Sequence, residues 1–102
     1  MFRHVVIWNL DDRFSTEEKK QTAQEIKTRL ETFSKDLTGV IFFSVTIEGI
    51  LSPSTGEIIL DSTFGTRDDL ENYKNHPTHI EIGKLVRSVV SSRASMDYET
   101  EG

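Results

Sequence analysis

Cysteine is absent from this 102-residue sequence, which excludes disulfides, thiolate metal centres and thiol nucleophiles. Basic residues are in the minority, 12 against 17 acidic, giving a formal charge of −5. A field of that sign repels phosphate backbones, so no nucleic-acid partner is expected. Long hydrophobic runs are missing as well: no stretch approaches the roughly 20 apolar residues of a membrane span. The first residues lack the basic, apolar and small-residue succession of a secretion signal, so a cytoplasmic protein with no membrane partner is expected. Hydrophobic residues make up only 35% of the chain. One domain of this size with so thin a core completes its burial readily by dimerising.

What is present falls into alternating short segments. Arg3 to Leu10 is short and rich in β-branched and aromatic residues, the pattern of a buried strand. His4, Val6, Trp8 and Leu10 share one face, Val5 and Ile7 the other. Ser15-Thr16-Glu17-Glu18 is a capping box. Behind it Ala23, Ile26, Leu30 and Phe33 form one apolar stripe on a charged helix, whose polar face reads as solvated surface. Val40 to Ile47 and Glu57 to Phe64 read as a strand pair joined by the turn cluster Ser52-Pro53-Ser54-Thr55-Gly56. Thr66 caps a second helix carrying Leu70 and Tyr73, and Pro77 ends it and starts a third. Ile80, Leu85, Val86, Val89 and Val90 are the expected apolar surface of that third helix. Arg93 to Tyr98 alternates Ala94, Met96 and Tyr98 with polar residues and reads as the last strand. The order β-α-β-β-α-β predicts an α+β ferredoxin-like plait, an antiparallel sheet with helices on one face. Val5 and Ile7 then need cover on the open face, which a homodimer packed sheet to sheet into an α+β barrel would provide.

Chemistry has one concentrated place. Two of the three histidines, His76 and His79, lie with Tyr73 in the segment Tyr73-Lys74-Asn75-His76-Pro77-Thr78-His79. With Pro77 as the first helical residue, His79 falls in the first turn, where the helix dipole disfavours imidazolium. A neutral imidazole is a competent base, and a phenol beside it would donate to a developing enolate oxygen. The competing expectation is a Tyr73–His79 hydrogen bond that merely closes the domain. His76, preceding proline, suits a helix cap. His76 and His79 lack a third ligand at matching spacing, so no metal is expected. His4 and Trp8 read first as core residues. Asp97 and Tyr98 read as ties for the last strand.

The Arg3-His4-Val5-Val6 strand, the Asp69-Leu70-Glu71-Asn72-Tyr73 helix, the His76-Pro77-Thr78-His79 step and the closing Asp97-Tyr98 together resemble the stress-responsive A/B barrel domain family (Dabb). The resemblance spans nearly the whole chain and implies a dimeric α+β barrel. It also implies distant similarity to a plant member, olivetolic acid cyclase, which closes a linear polyketide by aldol condensation. On that resemblance Tyr73 and His79 correspond to the catalytic pair, and His4 to the pocket histidine. Val6, Trp8, Ala23, Ile26 and His76 would then face a substrate. Trp8, Ala23 and Ile26 differ from the plant enzyme in size, so its substrate does not carry over. Two functions follow as expectations. One is a cofactor-free enzyme acting on a small carbonyl or polyketide-like ligand. The other is a non-enzymatic stress or oligomer-forming protein whose cavity Trp8 fills. A monooxygenase of the same architecture would lack the tyrosine–histidine step.

Overall fold

Residues 1–101 are described by a computed structural model, in the order β1 (Phe2–Leu10), α1 (Thr16–Ser34), β2 (Val40–Thr46), β3 (Ile58–Phe64), α2 (Arg67–Asn75), α3 (Pro77–Val89) and β4 (Val90–Glu99). The four strands form one sheet in the order β2-β3-β1-β4, every neighbouring pair antiparallel. This is the ferredoxin-like α+β plait.

Local sequence sets the helix starts. Ser15 and Thr66 each accept from the amide three residues on, while Glu18 and Asp69 reach back to the cap amides. Each reciprocal pair satisfies two of the donors a helix start leaves open. Gly39 is required between α1 and β2. Its φ is +80°, and a Cβ there would lie 2.1 Å from the Asp69 carboxyl carbon.

Alternation along β1 buries His4, Val6, Trp8 and Leu10 under the helices. Register carries that face across the sheet: Leu60 and Ser95 flank Val6, and Ser62 and Asp97 flank His4. Ala23, Ile26, Leu30 and Phe33 of α1 are all buried against it, as their spacing predicts. Truncating Ile26, which is fully buried, to Ala would cost about 2–5 kcal/mol.

Three expectations change. On α3, Ile80 is largely exposed and Ile82 is buried with Val86, because the helix turns its 82/86 edge toward the sheet. β4 starts at Val90 rather than Arg93, since Val90 both closes α3 and pairs with Leu10 across a bulge. The charged face of α1 is not wholly solvated. Lys27 Nζ donates to the Val45 carbonyl at 2.6 Å, and the Val45 amide donates to Glu31 Oε2 at 3.0 Å. These side chains occupy backbone groups of the edge strand β2 that would otherwise invite another strand. The helix-free face carries Ile7, Phe42, Met96 and Tyr98, all substantially exposed.

Candidate active site

A cavity of about 480 Å³ opens between α3 and the β1/β4 half of the sheet. His4, Val6 and Trp8 of β1 form its floor. Tyr73, Lys74 and His79 stand at one end, Ile82, Gly83, Val86 and Arg87 on the helix side, and Arg93 on β4. A larger hollow of 750 Å³ beside Lys20, Gln24 and Ile47 contains no histidine or tyrosine and is a surface cleft.

Tyr73 is the centre of the cluster. Its ring is 4.5 Å from that of His79 and 5.6 Å from that of His4, centroid to centroid. Phe33, Phe43 and Phe64 close the other sides at 5.8, 5.8 and 5.2 Å. That aromatic nest fixes the ring and dries its surroundings. Yet the hydroxyl is buried without a protein partner among the described residues. The expected Tyr73–His79 hydrogen bond is absent: the rings touch, but the hydroxyl is left free. Burial raises the Tyr73 pKa well above its ordinary 10.0, so the phenol is a donor and not a base.

Both imidazoles are pinned through the same nitrogen. His79 Nδ1 lies 3.0 Å from the Lys74 carbonyl, and His4 Nδ1 lies 2.5 Å from Asp97 Oδ1. A carbonyl and a carboxylate only accept, so each Nδ1 carries the proton and each Nε2 keeps its lone pair. Burial lowers both pKa values from 6.5, and positive charge on Arg93 and Lys74 lowers them further. For His4 the Asp97 carboxylate pulls the other way. Burial prevails, since Asp97 is shared with the Lys74 ammonium, which forms its second ion pair. For His79 the direction agrees with the sequence-based expectation, but burial is the leading cause rather than the helix start.

Of the remaining candidates, Val6 and Trp8 line the cavity, whereas Ala23, Ile26 and His76 do not. Ala23 and Ile26 are core residues under α1. His76 caps α3 by accepting from the Thr78 amide at 3.1 Å and packs against Phe33 at 4.8 Å between ring centroids. Trp8 is buried, and its Nε1–H, like the Tyr73 hydroxyl, lacks a protein acceptor. Sequence reasoning missed Lys74, Arg87 and Arg93, and gave Asp97 only a structural role. The signal for two of them was the strand register, which pairs Asp97 with His4 and Arg93 with Trp8. Among the described residues no three His, Asp or Glu side chains converge as metal ligands, and no helix is long and apolar enough to cross a membrane.

Residues 2–100 match the stress responsive A/B barrel domain. The chain belongs to that family. Among solved structures, a dimeric protein with a ferredoxin-like fold from Bacteroides fragilis is similar at 29% identity and a TM-score of 0.85, covering 97% of this chain and 95% of its own. A Dabb family protein from Mesorhizobium loti shares 20% identity with a TM-score of 0.74, covering 99% and 97%. Hydroxynitrile lyase from Passiflora edulis shares 14% identity with a TM-score of 0.78, covering 99% and 94%. The last two likenesses show the fold alone. Comparison with curated proteins gives no match.

Proposed function

We propose that this Dabb protein is a cofactor-independent enzyme that moves a proton on a small carbonyl compound held in the Tyr73–His79–His4 cavity. One observation carries the reading: a buried phenol donor without a partner stands against two neutral imidazoles whose acceptor nitrogens are free. Burying a hydroxyl unpaired costs about 1–3 kcal/mol, a cost that a bound carbonyl oxygen would remove. In the step we envisage, His79 Nε2 takes a proton from the carbon beside a carbonyl. The C–H electron pair moves through the new C=C bond, and the carbonyl π pair goes to oxygen, where the Tyr73 hydroxyl donates to it. The enolate carbon then adds to a second carbonyl or is reprotonated, and the proton on His79 returns to product. His4, held by Asp97, orients the substrate. A polyketide-like substrate, as in olivetolic acid cyclase, is one carbonyl compound this chemistry fits. The Passiflora neighbour is an enzyme built on the same fold, which supports catalysis on this scaffold without assigning a reaction.

The cavity lies within the range of roughly 300–1,000 Å³ usual for ligand sites, and Trp8 lines it rather than filling it. That weighs against the non-enzymatic alternative of a vestigial pocket. Replacing His79 with Ala should remove turnover of a 1,3-dicarbonyl substrate while far-UV circular dichroism stays unchanged. A variant that retained full turnover would refute the assignment. The second part of the proposal is a homodimer through the helix-free sheet face, supported by the exposed Ile7, Phe42 and Met96 there.

A further inference from the structure

Resting on that reading of the cavity as a substrate site, we infer that its substrate is a small carboxylic acid bearing a second oxygen. The carboxylate is held by Arg87 and Arg93, and the second oxygen meets one of the two unpaired donors, Tyr73 or Trp8.

The chain carries a net charge of −5, yet no acidic side chain lines this cavity, and three cations do. Lys74 is committed to Asp97. Arg87 and Arg93 make no ion pair among the described residues; Arg93 Nη1 donates only to the Ser95 hydroxyl, at 3.0 Å. The Arg87 guanidinium lies back along α3 over Gly83, where a Cβ would stand 3.3 Å from its Nη1. Arg93 sits beside Trp8 in the sheet register, on the face that looks toward the helices. Its charge is felt by Tyr73, His4 and His79 alike.

Two guanidiniums without ion pairs among the described residues, lining one cavity of an acidic protein, form a local attraction for an oxyanion, which the planar guanidinium fork binds well. The Trp8 Nε1–H and the Tyr73 hydroxyl are both buried donors without acceptors, 6% and 1% exposed as residues. A hydrocarbon ligand would leave them unpaired; a carbonyl or hydroxyl oxygen would not. Val6, Leu30, Leu60, Ile82 and Val86 supply the apolar part of the lining. The ligand therefore carries an oxyanion, a further acceptor oxygen and an apolar remainder. A carboxylate is the smallest oxyanion that leaves the rest of such a ligand inside the hollow.

Trp8 is the chain's one tryptophan, so its fluorescence reports occupancy directly. Titrations at low salt would compare 4-oxooctanoate with its methyl ester and with mono-octyl phosphate. The acid should bind about tenfold or more tightly than the ester, the worth of one charge-assisted hydrogen bond. An Arg87→Gln/Arg93→Gln double variant should bring the acid to the ester's affinity. Both side chains are exposed and free of acidic partners, so the variant should keep the wild-type circular dichroism. Equal binding of acid and ester, a double variant that still prefers the acid, no saturable response to any probe, or tighter binding of the phosphate would each overturn the inference. The two proposals fail separately. Loss of turnover in the His79→Ala variant with acid and ester bound equally would sink this inference alone. Acid selectivity with full turnover in that variant would sink the proton-transfer reading alone.

Discussion

The two buried histidines of the cavity are neutral for the same reason, and that gives the protein a pH dependence of definite sign. His79 faces Tyr73 and Lys74 on α2, His4 on β1 and Arg93 on β4; His4 faces Tyr73, Lys74, Arg93 and Asp97. Burial holds both below 6.5 in the folded protein. The unfolded chain therefore takes up protons first as pH falls through about 6.5, and it gains stability relative to the fold. Stability should be full above that point and decline toward pH 5. A His4→Gln/His79→Gln variant should decline less over the same window. Urea denaturation at pH 7.5 and 5.5 measures this, and identical declines for the two proteins would contradict it. Where His4 and His79 lie was legible in the residues, since β1 alternation put His4 inward and Pro77 put His79 on a helix start. The free Tyr73 hydroxyl was not legible, because whether two touching rings share a proton depends on a few tenths of an ångström that spacing does not encode. Nor were the roles of Lys74 and Asp97, whose side chains meet from positions 23 residues apart.

At the scale of elements, every strand and helix of the plait was legible from period and punctuation, and its ends were less so. The α3/β4 junction lacks the turn residues that mark the other boundaries, because Val90 serves both elements at once. On α3 the pattern placed Val86 correctly but counted Ile80, which is exposed, and left out Ile82, which is buried. The Lys27 and Glu31 clasp on β2 was invisible for another reason: a charged helix face looks the same whether it meets water or a strand edge. Its value is measurable. Replacing Glu31 with Ala should destabilise the domain by about 0.5–1.5 kcal/mol, the worth of an ordinary net hydrogen bond. It should also speed hydrogen exchange at the Val45 amide, which loses its acceptor. Unchanged exchange at Val45 would show that the clasp protects nothing.

For the whole molecule, the sheet presents helices on one face and exposed apolar side chains on the other, and the Bacteroides fragilis relative is dimeric. A dimer through this face predicts a solution mass of twice the 11.7 kDa chain. An Ile7→Asp variant, placing a charge amid that apolar face, should run as a monomer in light scattering. A monomeric wild-type protein would refute the interface. The larger claim is that the domain tolerates an unpaired buried phenol because a ligand is meant to pair it. The thermal stability of a Tyr73→Phe variant in the absence of ligand tests this most directly. If the hydroxyl is reserved for substrate, removing it should leave stability equal or raise it by up to about 1–3 kcal/mol, the penalty an unmet donor carries. A loss of more than about 1 kcal/mol would mean that the hydroxyl holds the native fold together through a bond of its own.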